Sequence, residues 1–329
     1  MSDKPTLTGS ATGSGPAAGE RVLVTGASGF VGRYVVRELV ARGYQPVCLV
    51  RDADRMRRQL NPEQCARVHM ESGDLFDVGA LDRAAQGCTA AIHLVGIIEE
   101  KPLVGQTFHR IHTEGTRNVV ATCSRIGVGR YAHMSALGTR PNALSKYHKT
   151  KWAAEEIVRA SSLQWTIFRP SIIHGPDSEF IQMMRFFATS WRQPFMPYFG
   201  KGERLVQPVS VRDVAAVFVK CLSMPETVGK VYDLAGPERL TWKQLYDVCA
   251  MSITGRKRLK AGIPVTLAKL AALTVVPFTP SVLMPYKFNV GQVQMSQEDS
   301  VADTRLVEET FGIRLRDFRE ELSYYADQI

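Results

Sequence analysis

Residues 21–52 read Arg-Val-Leu-Val-Thr-Gly-Ala-Ser-Gly-Phe-Val-Gly-Arg-Tyr-Val-Val-Arg-Glu-Leu-Val-Ala-Arg-Gly-Tyr-Gln-Pro-Val-Cys-Leu-Val-Arg-Asp. Val22 to Val24 is a short run of apolar β-formers broken by Thr25-Gly26, the pattern of a buried parallel strand feeding a tight turn. From Tyr34 to Arg42 the apolar residues 35, 36, 39 and 40 share one helical face, and Gly43 suits the helix end. Val47 to Val50 then makes a second strand. Gly26 allows the turn, Gly29 lets the backbone approach a pyrophosphate, and Gly32 lets the helix pack closely on the strand. The amides at that helix start face an anion. The competing reading is an ordinary glycine turn with no ligand.

Further strands and helices alternate in the same way. Val68 to Leu75 ends in Gly-Asp-Leu, where Asp74 is also placed to cap a helix over Val78 to Ala85. Ala90 to Val95 leads into Gly96-Ile97-Ile98, with His93 as a core histidine. Tyr131 to Met134 delivers Ser135-Ala136-Leu137-Gly138 to the carboxyl edge of the sheet, where ligands bind in such folds. A sixth strand, Trp165 to Arg169, is ended by Pro170. The expectation is an α/β chain with a doubly wound parallel sheet of the Rossmann kind over residues 21–175 and a smaller mixed α/β substrate lobe over 176–329. Core elements return at 207–240, and helices follow at Thr304 to Phe311 and Phe318 to Tyr325.

Tyr147-His148-Lys149-Thr150-Lys151 is the constellation that carries chemistry. Tyr147 and Lys151 are one helical turn apart on the same face. An ammonium near a phenol lowers its pKa and readies it as a general acid or base. The competing reading is a surface helix with an aromatic and a salt-bridging lysine.

Composition narrows the partners. The chain has 329 residues, 45% of them hydrophobic, enough for a full core and a second lobe. No apolar run reaches membrane-spanning length. Residues 1–20, rich in Ser, Thr, Gly, Pro and Ala, read as a disordered tail without the apolar core of a secretory signal or the Arg-rich pattern of a presequence. The expectation is a bacterial cytoplasmic location, with a place peripheral to the inner membrane as the other option. The cysteines at 48, 65, 88, 123, 221 and 249 never form CxxC and read as buried thiols in a reducing compartment. The net charge is +9, but no aromatics interleave with the densest cluster, Arg51, Arg55, Arg57 and Arg58, so nucleic acid is disfavoured against a solvated basic face. The seven histidines are dispersed, and no metal-ligand spacing occurs.

The glycine spacing TGxxGxxG, the YxxxK pair, Arg-Pro-Ser-Ile-Ile-His-Gly-Pro from Arg169 and Gln-Pro-Val-Ser-Val-Arg-Asp-Val-Ala from Gln207 together resemble the short-chain dehydrogenase/reductase superfamily. The likeness is to its extended and atypical, epimerase/dehydratase-like branches and covers residues 21–250. It implies cofactor contacts at Gly26, Ser28, Gly29, Phe30, Val31, Gly32, Arg33, Arg51, Asp74, Leu75, Leu94, Val95, Gly96, Tyr147, Lys151 and Pro170. Asp74 would reach the adenine amine. Val50 stands where NAD-preferring members carry an acid, and Arg51, with Arg33, can neutralise a 2′-phosphate. NADP(H) is therefore favoured, with Asp52 keeping NAD(H) as the second option.

The resemblance also implies catalysis by Tyr147, Lys151 and a hydroxyl, for which Ser135 is the candidate. Aligned on the strand, however, the usual hydroxyl position falls on Leu137, leaving Ser135 or Thr139 to stand in. His112 stands in place of an asparagine and His174 in place of a tyrosine. Asp213 reads as a helix cap or first-turn acid, and Thr241 as a helix cap.

Residues 25–33, His-Met-Ser-Ala-Leu-Gly at 133–138 and Ser-Lys-Tyr-His-Lys-Thr-Lys at 145–151 are similar to one atypical subgroup, the NADPH-binding accessory subunit of respiratory complex I and its bacterial relatives. Two readings follow. In one the chain is an oxidoreductase or epimerase acting on a small substrate; in the other it holds NADPH without turnover as a structural or assembly subunit. The apolar, proline-punctuated stretch 263–288 has three readings: lobe core over the substrate cleft, a surface for a protein partner, or an interfacial membrane contact helped by Lys260, Lys269 and Lys287.

Overall fold

Val22 and Val24 point to one face of the first strand and Leu23 to the other, and all three are fully buried. A strand covered on both faces belongs inside a parallel sheet with helices on either side. The computed structural model describes residues 19–191, 195–280 and 284–326 and has this architecture. Nearly all of the predicted tail, residues 1–20, lies outside the described residues.

Strands β1 (Arg21–Thr25), β2 (Gln45–Val50), β3 (His69–Ser72), β4 (Cys88–His93), β5 (Arg130–Met134) and β6 (Gln164–Pro170) alternate with helices. These are α1 (Phe30–Ala41), α2 (Ala53–Arg57), α3 (Pro62–Arg67), α4 (Val78–Ala85), α5 (Gly115–Ile126) and α6 (Lys146–Arg159). The chain continues through β7 (Ile173–His174), α7 (Glu179–Thr189), β8 (Phe195–Phe199), β9 (Leu205–Val206), β10 (Val209–Ser210), α8 (Val211–Lys220) and β11 (Lys230–Leu234). It closes with β12 (Leu240–Thr241), α9 (Trp242–Thr254), β13 (Leu259–Ile263), α10 (Val265–Thr274), α11 (Val290–Met295), α12 (Arg305–Phe311) and α13 (Phe318–Tyr325).

Seven strands pair in parallel in the order β11-β6-β5-β4-β1-β2-β3. The order reverses between β1 and β4, and ligands of open α/β sheets bind at the carboxyl ends there. One face is covered by Val35, Val36 and Leu39 of α1 with Val214, Val217 and Phe218 of α8; the other by Leu81, Val119, Cys123 and Val158. A separate core of Ile181, Met184, Met196, Leu245, Cys249, Phe318 and Leu322 holds the lobe.

Several local expectations change. Asp77, not Asp74, caps α4 by accepting from Ala80 N at 2.9 Å. A π-helical turn, His109–Glu114, precedes α5, and Cys65, unlike the other five cysteines, is only partly buried. Ser210 caps α8, while Asp213 is its buried first-turn acid, paired with Arg316. Thr241 caps α9 as expected, in a reciprocal pair with Gln244.

The lobe-core reading of 263–288 does not hold for Leu267, Leu270 and Leu273. Ala268, Ala272 and Val276 are buried, whereas Leu267, Leu270, Leu273, Val275 and Phe278 are exposed. Residues 281–283 of that stretch lie outside the described residues.

Candidate functional site

The glycine turn is built for close approach. Gly26 has φ +81°, the left-handed region open to glycine, and a β-carbon there would press within 3.2 Å of the Val95 amide. A β-carbon on Gly32 would stand 2.1 Å from the Gly26 carbonyl oxygen, so α1 can sit this low on β1 only with glycine. Ser145, Ser178 and Thr241 cap α6, α7 and α9 with their side chains, but Gly29 gives α1 none. The amides that open α1 therefore present a dipole and N–H groups with no internal acceptor from a side chain, a fit for a pyrophosphate. Ser28, Phe30 and Val31 lie in this turn and first helical residues. Arg33, one turn in, has a buried Nε with no hydrogen bond among the described residues and an NH1 3.4 Å from Asp177.

At the end of β2 the buried Val50 is followed by the exposed Arg51, which forms no ion pair among the described residues. Asp52 is committed to structure, its Oδ1 accepting the Arg55 amide at 2.8 Å as the cap of α2. Past β3, Asp74 Oδ1 accepts the amides of Phe76 and Asp77 at 2.7 and 3.1 Å, shaping the turn. Leu75 is buried; its carbonyl accepts from Asn118 Nδ2 at 2.9 Å, and its side chain fills the space that a β-carbon on Gly115 would need.

The ends of β4, β5 and α6 converge. Leu94 N donates to Thr25 O at 3.1 Å, placing Val95 against Gly26 and Gly96 just beyond. Lys151, only 2% exposed, sends its ammonium to Met134 O at 3.0 Å and Val95 O at 3.5 Å, beside Gly96. Burial draws its pKa down to about 8, opposed in part by Glu155 one turn below on α6. Glu155 is itself fully buried between Arg159 and Arg169.

Tyr147 lies half-buried one turn before Lys151, held edge-on by Phe108, His112 and His148 at 5.8, 5.3 and 5.3 Å between ring centres. Burial pushes its phenol up to about 12. The expected lowering by the lysine is not seen, because the ammonium is occupied by strand-end carbonyls rather than by the phenol. Among the described residues the Tyr147 hydroxyl has no hydrogen-bond partner.

Ser135 is buried, its amide bonded to Phe168 O at 2.7 Å and its hydroxyl donating to Thr139 at 3.3 Å. Leu137 is half-buried, and its amide donates to the carbonyl of the buried Pro170 at 2.9 Å. The loop thus offers its hydroxyls to one another. His174 is turned away into the lobe, fully buried, with Nδ1 3.0 Å from the Tyr325 hydroxyl.

His112 is missing from the expected site, although its standing in place of an asparagine is a signal. Its Nδ1 lies 2.9 Å from Thr150 Oγ1 and its Nε2 3.1 Å from both backbone atoms of Ile97, with the ring against Tyr147. Burial holds its pKa down to about 2, so it is a neutral hydrogen-bonding group that fixes the loop after Gly96.

Comparison with known proteins agrees with this geometry. A family model described as NAD(P)H-binding matches residues 26–225. A ceramide reductase of Caulobacter vibrioides is 33% identical over 79% of this chain and 80% of its own length. The mitochondrial NADH dehydrogenase [ubiquinone] 1 alpha subcomplex subunit 9 of Dictyostelium discoideum is 30% identical over 74% of this chain; the match spans 66% of that protein, just under two thirds. Among solved structures, MoeE5 with UDP-glucuronic acid and NAD superposes with a TM-score of 0.71 at 21% identity, covering 93% of this chain and 98% of that one. The NADPH-dependent quinone oxidoreductase QOR2 of Escherichia coli with NADPH gives 0.70 at 20% identity, covering 92% and 99%. These two similarities bear on the fold.

Proposed function

The chain belongs to the NAD(P)H-binding family, and we propose that it is an NADP(H)-dependent oxidoreductase that reduces a carbonyl group. The observation that carries the reading is the placement of Lys151 against Gly96 at the switch point of the sheet, with Tyr147 one turn before it on the same helix. NADP(H) is preferred in this proposal because Arg51 and Arg33 are available to a 2′-phosphate, while the acids after β2 are engaged, Asp52 in capping α2 and Asp54 with Arg57.

The bound reduced nucleotide would supply a hydride to the carbonyl carbon. The opening amides of α1 would hold the pyrophosphate, Asp74 would accept from the adenine amine, and Lys151 would donate to the nicotinamide ribose. Tyr147 would pass its hydroxyl proton to the carbonyl oxygen as negative charge gathers there. A phenol raised to about 12 is fully protonated at neutral pH, which suits an acid in reduction better than a base in alcohol oxidation. The first relative is named a ceramide reductase, so long-chain carbonyl compounds are the first substrates to offer.

A second reading is favoured by one observation: Leu137 occupies the expected hydroxyl position, and Ser135 is buried on Thr139. In that reading the chain holds NADPH without turnover, as a structural or assembly subunit of a respiratory complex I-like partner. For either reading we propose a cytoplasmic location, with a place peripheral to the inner membrane as the other option; among the described residues no helix is long and apolar enough to cross a membrane.

One experiment separates the readings. The protein is purified without added nucleotide, bound cofactor is released and identified, and carbonyl substrates are offered to the NADPH-loaded protein. Oxidation of NADPH coupled to product supports the reductase. NADPH retained through repeated washing without turnover supports the structural reading, and recovery of NAD(H) alone would overturn the use made of Arg51.

A further inference from the structure

Helix α10 is packed inside out. Its buried residues are two alanines, Ala268 and Ala272, one turn apart, while Leu267, Leu270 and Leu273 are 56%, 57% and 66% exposed. At about 100° per residue these leucines, with Thr266 and Thr274, fall within one arc about 120° wide. The turn that follows adds Val275 and Phe278, 58% and 82% exposed. An apolar patch of this kind on a water-soluble face marks a contact surface.

The charge around it selects the occupant. Residues 248–297 form a run of fifty without a single Asp or Glu, yet they contain Arg256, Lys257, Arg258, Lys260, Lys269 and Lys287, of which Lys260 is paired with Asp247 just outside the run. Arg256 and Lys257 are exposed, and Lys269 lies on α10 at the border of the leucine arc. Apolar side chains on one helical face, bordered by Lys269 and set in a segment with further cations and no carboxylate, complement a layer of anionic headgroups over hydrocarbon.

We propose that α10 and the turn after it seat this protein on an anionic bilayer surface, the leucines and Phe278 entering the acyl boundary and the flanking cations meeting the headgroups. The seat is tied to the cofactor site. Beyond the turn, Asn289 caps α11 and its Nδ2 donates to Ile98 O at 3.1 Å, two residues past the Gly96 that faces Lys151. The loop held this way carries a second exposed apolar pair, Leu103 and Val104, on a short turn. This inference uses no catalytic step and holds whether or not the site turns over.

The test is sedimentation of the full chain with vesicles of phosphatidylglycerol mixed with phosphatidylcholine, and with phosphatidylcholine alone. Binding is expected on the anionic vesicles, several-fold weaker on the neutral ones, and sharply reduced at about 0.5 M salt, where screening is short-ranged. The double variant Leu270→Asp/Leu273→Asp should lose about tenfold or more in vesicle affinity while keeping its nucleotide affinity, which reports an intact fold. The charge variant Lys257→Glu/Lys269→Glu should weaken binding to anionic vesicles and leave the weak binding to neutral ones unchanged. Absence of vesicle binding by the parent protein overturns the proposal, as does equal binding by the leucine variant. A concentration-dependent doubling of mass that the leucine variant abolishes also overturns it, by giving this face to a second copy.

Discussion

A β-carbon placed on Gly96 would stand 3.0 Å from the Nζ of Lys151 and 3.5 Å from its Cε. The neighbour is the flexible end of a side chain, so the fold can accommodate the methyl by moving the lysine. The site cannot do so without cost, because Lys151 is then pushed off the strand-end carbonyls that aim it.

Gly96→Ala should therefore change stability by less than about 1 kcal/mol, in the range of ordinary tolerated substitutions, while weakening nucleotide binding by about tenfold. Thermal unfolding and nucleotide titration on the same preparation check this. The contrast is Gly32→Ala, whose β-carbon would meet backbone at 2.1 Å from Gly26 O and 2.6 Å from Ala27 O, and which should damage fold and binding together.

The buried ammonium of Lys151 has a pH signature. Its pKa falls from an ordinary 10.5 to about 8 in the folded chain, chiefly through burial. Between those values the unfolded state holds more protons than the folded one, so stability of the nucleotide-free protein should rise with pH through that window. Below about pH 8 the folded chain carries the charge at a cost on the order of 3 kcal/mol, from about 1.4 kcal/mol for each pH unit of displacement. Lys151→Met should thus raise the unfolding free energy at pH 7, lose the pH 8–10.5 rise and bind nucleotide poorly. Denaturant unfolding at several pH values reads all of this; a variant less stable than the parent at pH 7 would contradict it.

The sequence makes some of this visible and hides the rest for identifiable reasons. The role of Gly32 is legible because the backbone its β-carbon would meet, Gly26 O and Ala27 O, lies within six residues of chain, and that of Gly26 because the turn itself asks for a positive φ; the approach of Gly26 to Val95 is not legible. The one-turn spacing of Tyr147 and Lys151 is legible for the same reason. The direction of the ammonium is not: it depends on where β4 and β5 end, contacts 56 and 17 residues away. Asp74 and Asp77 both precede α4 within capping reach, and only the backbone turn decides that Asp77 takes the cap. On α10 hydropathy argues for burial of the leucines, but the alanines take the inner face because they let the helix approach closely. His112 enters the site only because the π-helical turn before α5 lies beside α6, which brings Thr150 to its ring.

Cofactor choice rests on Arg51. With no acid among the described residues paired with it, its guanidinium should contribute a charge-assisted contact to a 2′-phosphate, worth about 1.5–3 kcal/mol. Arg51→Ala should weaken NADPH binding by about 10- to 100-fold and leave NADH binding within about twofold, since a contact of that size affects only the phosphorylated cofactor. Asp52→Ala should leave the preference unchanged and cost about 1 kcal/mol of stability through the lost cap on α2. Equal loss for both nucleotides in Arg51→Ala would remove the basis for favouring NADPH.

Tyr147→Phe is the decisive substitution at the reacting end. The ring contacts with Phe108, His112 and His148 do not involve the hydroxyl, and no described residue bonds to it, so removal of the oxygen should leave the fold and the nucleotide affinity intact. Loss of the proton donor should lower kcat by about 10²- to 10⁴-fold, the usual contribution of a positioned acid. In the parent protein the reduction rate should stay level through neutral pH as far as the phenol is concerned, because a group at about 12 remains protonated there. The reverse oxidation needs the phenolate and should climb with pH over the same range. Rates of both directions for parent and variant, with nucleotide titrations beside them, separate an acid from a packing residue. If the variant turns over at the parent rate, the proton comes from elsewhere and the role given to Tyr147 is wrong; if the parent itself never turns over, the phenol is a wall of a nucleotide-holding site and Leu137 marks why.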